Sequence, residues 1–184
     1  MAVVDIGGRT TDIAVILTDE QGVPVGIDRE RSGSEEFGVL QVRDTLASLL
    51  SRELRLDRID DRTLDTVFRL GKAKIYGKMQ DFGGLVQEAS AKIRMEIANA
   101  VRHRLGDGTS LQAVWVVGGG AHKIDLRGVL PPEWNVVVAD DPEFANVTGM
   151  FLRARDVLLR QGYHLVSPVG DSDRETPVVS AGEV

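Results

Sequence analysis

Val3-Val4-Asp5-Ile6-Gly7-Gly8-Arg9-Thr10-Thr11-Asp12-Ile13-Ala14-Val15-Ile16 is the stretch on which the fold turns. Two apolar runs flank a pair of glycines, which predicts antiparallel strands over residues 2–6 and 12–18 joined by a tight turn. Gly7 and Gly8 accept backbone conformations closed to other residues and let a ligand approach the main chain. Successive amides in such a turn can form an anion-binding concavity, and Thr10 and Thr11 add hydroxyl donors. Asp5, at the end of the first strand, can hold a magnesium ion through its waters. These residue types suit a nucleotide polyphosphate and its metal. A glycine hairpin with Asp and Thr bonded only to local backbone has the same appearance, and the stretch alone leaves both readings open. A second glycine cluster, Gly118-Gly119-Gly120, favours the phosphate reading.

Working outward, Asp19-Glu20-Gln21-Gly22 reads as a turn and Val23–Glu30 as a third strand, which completes a meander. Ser32 and Glu35 have the spacing of a capping box, so a helix is expected from there to about Leu56, with Leu40, Leu46, Leu50 and Leu54 on its buried stripe. Gly38 falls in its first turn, where it either permits a close approach or is neutral. Asp60 and Asp61 start a short helix to about Phe68. Residues 70–78 read as a loop or short strand bounded by Gly71 and Gly77. Asp81 is expected to cap a helix reaching Leu105, since Leu85, Ala89, Ile93, Ile97, Val101 and Leu105 recur every fourth residue.

Leu111–Val117 is a nearly continuous apolar run, which suits a strand buried on both faces. It leads into Gly118-Gly119-Gly120-Ala121 and an expected helix, the place where ligands sit in open α/β sheets. Val136–Val138 reads as the last strand. Asp140-Asp141-Pro142-Glu143 starts a final helix with Phe144, Val147, Phe151, Ala154 and Leu158 on one stripe, ending near Gly162. Residues 163–184 are polar and Pro/Gly-containing, and a disordered tail is expected there. The order of elements is that of a layered α/β domain.

Composition bounds the function. The 184 residues suffice for one well-packed domain with a small subdomain. The net charge of −6 and the lack of a long basic run disfavour direct binding to a DNA backbone. Arg29 with Arg31, and Lys72 with Lys74 and Lys78, read first as solvated surface and second as partner contacts. There is no cysteine, hence no disulfide and no thiolate metal site. The three histidines are isolated in sequence, which argues against a metal site. No apolar run has the length of a membrane span, and the first residues do not read as a signal peptide, so a cytoplasmic protein without membrane contact is expected.

Three stretches together resemble one family. Asp5-Ile6-Gly7-Gly8-Arg9-Thr10-Thr11-Asp12 is similar to the second phosphate motif of the actin, sugar kinase and heat-shock chaperone ATPase superfamily, and Val114–Ala121 is similar to its adenosine motif. Asp141–Met150, with Phe144-Ala145-Asn146 and Gly149, resembles the closing segment of ParM/StbA-type bacterial actin-like proteins. The resemblance implies an actin-like (ribonuclease H-like) domain over residues 1–162, with a five-stranded mixed sheet, helices packed on it and a small helical subdomain at about 35–105. It implies ATP and magnesium as cofactors. Asp5 would be catalytic, near magnesium and the attacking water. Gly7, Gly8, Arg9 and Thr10 would line the β- and γ-phosphates, and Gly118, Gly119, Gly120 and Ala121 would pass under adenosine. Asn146 and Gly149 would shape the last helix.

The same resemblance implies a filament-forming ATPase acting in plasmid segregation, its partners being further copies of itself and DNA reached through an adaptor protein. Only one phosphate motif is present, so the chain is expected to be the second of two domains, with the N-terminal domain missing. Alone it is expected to bind ATP weakly and not to hydrolyse it. A small-molecule kinase or a non-hydrolysing interaction module of the same superfamily is the alternative.

Overall fold

The computed structural model describes residues 1–165 and 179–180. Most of the expected tail lies outside them. The chain divides into two compact units, the first Met1–Glu143 and the second beginning at Phe144.

The first unit is built on a five-stranded sheet in which the third, second, first, sixth and seventh strands of the chain lie side by side in that order. The strands are β1 (Ala2–Ile6), β2 (Thr11–Thr18), β3 (Pro24–Glu35), β6 (Val114–Val117) and β7 (Val136–Val138). The hairpin read from the opening stretch is present: Asp5 faces Asp12 and Ile6 faces Thr11 across antiparallel β1 and β2. β6 and β7 run parallel to β1. The sheet is therefore mixed, as expected.

Alternation in β1 and β2 sorts the side chains by face. Ala2, Val4, Ile6, Ile13 and Val15 are buried in the core, with Val114 and Val116 from β6. Between β3 and β6 the chain forms α1 (Val39–Leu54), α2 (Asp61–Leu70), the hairpin β4 (Lys72–Ile75) and β5 (Lys78–Asp81), and α3 (Gly83–Leu105). α3 lies against β2 and β3, and α1 packs on α3. The four-residue repeat of α3 buries Ala89, Ile93, Ile97, Val101 and Leu105, as its periodicity requires.

Several sequence expectations are corrected. Ser32 and Glu35 do not cap a helix; β3 continues through them, and α1 starts at Val39 with Gly38 as N-cap. The physical reason is that both side chains are engaged elsewhere: the Ser32 hydroxyl donates to the Asp28 carbonyl at 2.5 Å. The register of β3 shifts against β2 at Ala14, and there the Ser32 hydroxyl accepts from the Val15 amide at 2.9 Å. Glu35 accepts two guanidinium bonds from Arg104 at 2.8 and 2.6 Å.

The capping of α3 is also displaced. Asp81 ends β5, yet its carboxylate accepts from the Gly83 amide at 2.8 Å, so it serves the helix from one residue further out. Residues 70–78 open into a hairpin whose turn residues Tyr76 and Gly77 both have positive φ, as a type I′ turn requires. β6 is not buried on both faces, because Trp115 is 38% exposed on the side opposite the helices. The helix expected after Gly118–Gly120 is a single 3-10 turn, Gly119–His122.

In the second unit α4 (Ala145–Arg160) is followed by β8 (His164–Leu165), which pairs with β9 (Val179–Ser180). Asp140–Glu143 does not start this helix directly, since a 3-10 turn at Pro142–Phe144 precedes it. Val147 and Phe151, members of the apolar stripe read from the sequence, are 58% and 54% exposed.

Candidate functional site

The parallel strands β1 and β6 bring the two glycine clusters together. Asp5 lies opposite Val117 across the ladder, so the turn after β1 and the turn after β6 emerge side by side at the carboxyl ends of the strands. That is where open α/β sheets bind ligands. The contact is too close for larger side chains. Gly118 has φ +86, and a Cβ there would collide with the Asp5 carboxylate and lie 2.5 Å from the Ile6 carbonyl. A Cβ on Gly120 would strike the Ile6 side chain and come within 2.9 Å of Val39.

The geometry of the Gly7–Thr10 turn follows from what holds it. The Gly7 amide donates to the Thr10 carbonyl at 2.8 Å and closes the turn. The Gly7 and Gly8 carbonyls in turn accept from the first two amides of α1, Val39 at 3.1 Å and Leu40 at 2.8 Å. These are among the amides that a helix start leaves without an intrahelical partner. A trans peptide directs its N–H opposite to its C=O. With the carbonyls of Gly7 and Gly8 drawn to α1, the amides of Gly8 and Arg9 therefore face away from the helix. The helix end thus acts through the turn, fixing the direction in which the amides of Gly8 and Arg9 point.

Gly38 makes this seating possible. It is buried, and a Cβ on it would lie 2.6 Å from the Gly8 carbonyl and 2.7 Å from that of Gly7. Its own amide donates to the Gln41 side chain at 2.8 Å. Of the two readings open for this glycine in the sequence, the close approach holds.

The threonines divide. Thr11 is 1% exposed and its hydroxyl donates to the Phe37 carbonyl at 2.8 Å, fastening β2 to the start of α1. It is not available to a ligand, contrary to the expectation for both. Thr10 lies in the turn itself, and its hydroxyl donates to Asp12 at 3.3 Å. Asp12 thus bonds a hydroxyl rather than the backbone. Arg9 and Gly8 are exposed at the tip.

Asp5 and Asp12 face each other on one side of the sheet. Like charges directly across a ladder repel, and a cation between or beside them relieves that repulsion. Among the described residues there is no cluster of three or more His, Cys, Asp or Glu that could hold a metal. A magnesium ion here would be held by one carboxylate, its own waters and ligand oxygens, which is the usual way that ion accompanies a polyphosphate. The residues fit such an ion.

Beyond Gly118–Ala121 the turn is latched. The Gly118 amide donates to the Pro142 carbonyl at 2.7 Å, and His122 Nε2 lies 2.6 Å from Glu143 Oε2. The hydrogen bond from His122 holds the Glu143 carboxyl below its ordinary value. This pair was not legible in the sequence, where His122 looked isolated and Glu143 read as part of a helix start. Lys123 sits with its ammonium 5.4 Å from the centre of the Phe68 ring. A cavity of about 720 Å³ adjoins these residues, between His122, Lys123 and Asp125 on one side and Gln87, Glu88 and Arg94 of α3 on the other. Both signs of charge line it, so it suits a polar group better than a bare anion.

The comparisons agree with this arrangement. The model of the family described as archaeal actin homologue MreB-like, C-terminal, matches residues 3–127. No curated protein matches the chain by sequence. Among solved structures, the ParM filament protein from Clostridium botulinum, determined as a 15-stranded filament, superposes with a TM-score of 0.75 at 22% identity, over 84% of this chain and 45% of that one. A non-polymerisable quadruple mutant of pCBH ParM gives 0.74 at 22% identity, over 84% and 46%. The archaeal actin homologue Ta0583, in complex with ADP, gives 0.67 at 22% identity, over 84% and 49%. The chain spans about half the length of these structures, and at such identity the likeness establishes the fold. No helix among the described residues is long and apolar enough to cross a membrane. With a family model covering both glycine turns and everything between them, the chain belongs to the C-terminal domain family of MreB-like archaeal actin homologues and has the actin-like fold.

Proposed function

We propose that the chain is the nucleotide-binding second half of an actin-like ATPase that assembles into filaments. The observation that carries this reading is the meeting of the Gly7–Thr10 and Gly118–Ala121 turns at Asp5. In this reading the outward amides of Gly8 and Arg9, with Gly7 and Thr10, receive the β- and γ-phosphates of ATP. Gly118, Gly119, Gly120 and Ala121 pass beneath the adenosine, with Gly118 and Gly120 lying against Asp5 and Ile6 of the first turn. Asp5 is the catalytic carboxylate; it would hold a magnesium ion through that ion's waters and orient the attacking water. Magnesium, when bound, supplies charge neutralisation for phosphoryl transfer, a reaction that rests on positioned donors more than on covalent chemistry. The ADP in the Ta0583 structure, and the ATP and ADP in those of Bacillus thuringiensis ParM, support the choice of nucleotide.

The remaining ligand contacts come from a first domain that closes on the nucleotide. The chain by itself therefore binds ATP weakly and does not hydrolyse it. In the whole protein the copies assemble in the cytoplasm and move plasmid DNA, held through an adaptor rather than directly, consistent with the acidic charge.

The test is pelleting and light scattering of the two-domain protein with magnesium and ATP, beside an Asp5→Ala variant. Assembly of both, with turnover only in the unsubstituted protein, is expected. Hydrolysis that needs an added small molecule, with no assembly, would replace this reading by that of a kinase.

A further inference from the structure

We infer that Glu143 is a positioning residue of the nucleotide site: through His122 it holds the glycine turn after β6 in place and so supports the nucleoside half of the ligand. The inference rests on the nucleotide reading proposed above. It goes beyond that reading by assigning a role to a residue outside both glycine turns.

The turn is held from two sides. Gly118 and Gly120 face the end of β1, since a Cβ on either would meet Asp5 or Ile6. Gly119, between them, faces the other way: the nearest atom to a Cβ there is the Cβ of Glu143, at 4.0 Å. Pro142-Glu143 therefore runs along the side of the turn away from β1. Two hydrogen bonds join the segments, one at each end of the turn. The Gly118 amide donates to the Pro142 carbonyl at 2.7 Å, and His122 Nε2 meets Glu143 Oε2 at 2.6 Å. All of these contacts lie within the unit Met1–Glu143.

The turn needs this outer support. Its own structure is a single 3-10 turn, Gly119–His122, a form whose hydrogen-bond geometry is poorer than that of an α-helix. Ala121 and Ile124 are buried and fix the side that faces the core. The His122 side chain, 55% exposed, has Glu143 as its one hydrogen-bond partner among the described residues. Its neighbours are engaged elsewhere. Asp125, the carboxylate closest along the chain, is taken by Arg127 at 2.9 and 2.8 Å, and Lys123 sets its ammonium over the Phe68 ring.

His122 also forms part of the wall of the cavity of about 720 Å³, across from Gln87 and Arg94 of α3. A carboxylate bonded to one ring nitrogen fixes the orientation of an imidazole, so Glu143 sets the shape of that wall. The phosphate-side turn has a different support, the bonds from Val39 and Leu40 of α1 to Gly7 and Gly8. Loss of Glu143 therefore weakens the grip on the nucleoside and spares that on the phosphates.

The test uses the two-domain protein and calorimetric titration with magnesium ADP and with magnesium tripolyphosphate, which has phosphates but no nucleoside. Glu143→Ala is expected to weaken ADP binding about three- to fivefold, the upper range for an exposed ion pair, and to leave tripolyphosphate binding unchanged. Glu143→Gln keeps an acceptor oxygen and is expected to recover part of the loss. Glu143→Ala combined with His122→Ala is expected to lose no more than His122→Ala alone, because the carboxylate acts through the imidazole. Both side chains are exposed, and circular dichroism of each variant checks that the fold is intact. Unchanged ADP affinity in Glu143→Ala, an equal loss for both ligands, or additive losses in the double variant would overturn the inference while the nucleotide reading stands. If the unsubstituted protein binds neither ligand, the nucleotide reading falls and the inference falls with it.

Discussion

Replacing Gly38 by alanine adds one methyl group at the seat of the candidate site. The methyl carbon would lie 2.6 Å from the Gly8 carbonyl and 2.7 Å from that of Gly7, where ordinary contact begins at 3.4 Å. Both obstacles are backbone atoms, so no side-chain rotation relieves the clash. The φ of Gly38 is −166°, which alanine adopts freely, so the effect isolates packing from backbone strain. Relief requires the start of α1 to retreat by several tenths of an ångström. That strains or breaks the bonds from Val39 and Leu40 to the turn. Two such bonds contribute about 1 kcal/mol each, and forced overpacking costs about 1–3 kcal/mol, so a loss of about 3–5 kcal/mol is expected. Urea unfolding followed by circular dichroism measures it, with Gly128→Ala as control because a Cβ there meets nothing within 4 Å. Affinity for a fluorescent ATP analogue is expected to fall at least about tenfold, equivalent to about 1.4 kcal/mol, because the amides of Gly8 and Arg9 lose their orientation. A stability change below about 0.5 kcal/mol, the range of ordinary surface substitutions, would refute the seating of the turn on the helix. Lost stability with unchanged affinity would leave the seating intact and remove its role in binding.

Thr11→Val separates the two threonines: it leaves the Phe37 carbonyl without its donor and is expected to lower stability by about 1–2 kcal/mol, while nucleotide affinity measured by titration is unchanged. The same titration on Thr10→Val is expected to show the reverse pattern. The His122–Glu143 pair sets a pH dependence. Because the folded-state value of Glu143 is held below its ordinary 4.5, the contribution is present above that value and is lost as pH falls through the folded-state value. The unfolding midpoint of the unsubstituted chain is thus expected to exceed that of Glu143→Gln at pH 6 and to converge with it once the pH has fallen through the lowered folded-state value; a difference that persists or grows in acid would sink the pairing.

The elements legible from residues alone are those stabilised within themselves or by immediate neighbours. α3 follows from its four-residue apolar period, α2 from Asp60, which accepts from the Thr63 amide at 2.9 Å, and the first hairpin from alternation around two glycines. The candidate site was legible to the extent that its motifs are continuous: both glycine turns and Asp5 are local stretches. The start of α1 was not, because the spacing of Ser32 and Glu35 satisfies a capping rule that uses four residues. Their actual partners include Val15 and Arg104, 17 and 69 positions away. The His122–Glu143 pair, 21 residues apart, was hidden for the same reason.

Sequence by itself thus determined the strands, the main helices and the identity of the residues at the strand ends, because periodicity, caps and glycine turns act over a few positions. Tertiary structure alone decided which turn meets which. The parallel register of β1 with β6 sets Asp5 against Gly118, and Gly38 lets α1 draw in the carbonyls of Gly7 and Gly8 and so aim the amides of Gly8 and Arg9. Those contacts join segments distant along the chain. Their energies depend on sub-ångström distances between backbones, a quantity that no local pattern of residue types encodes.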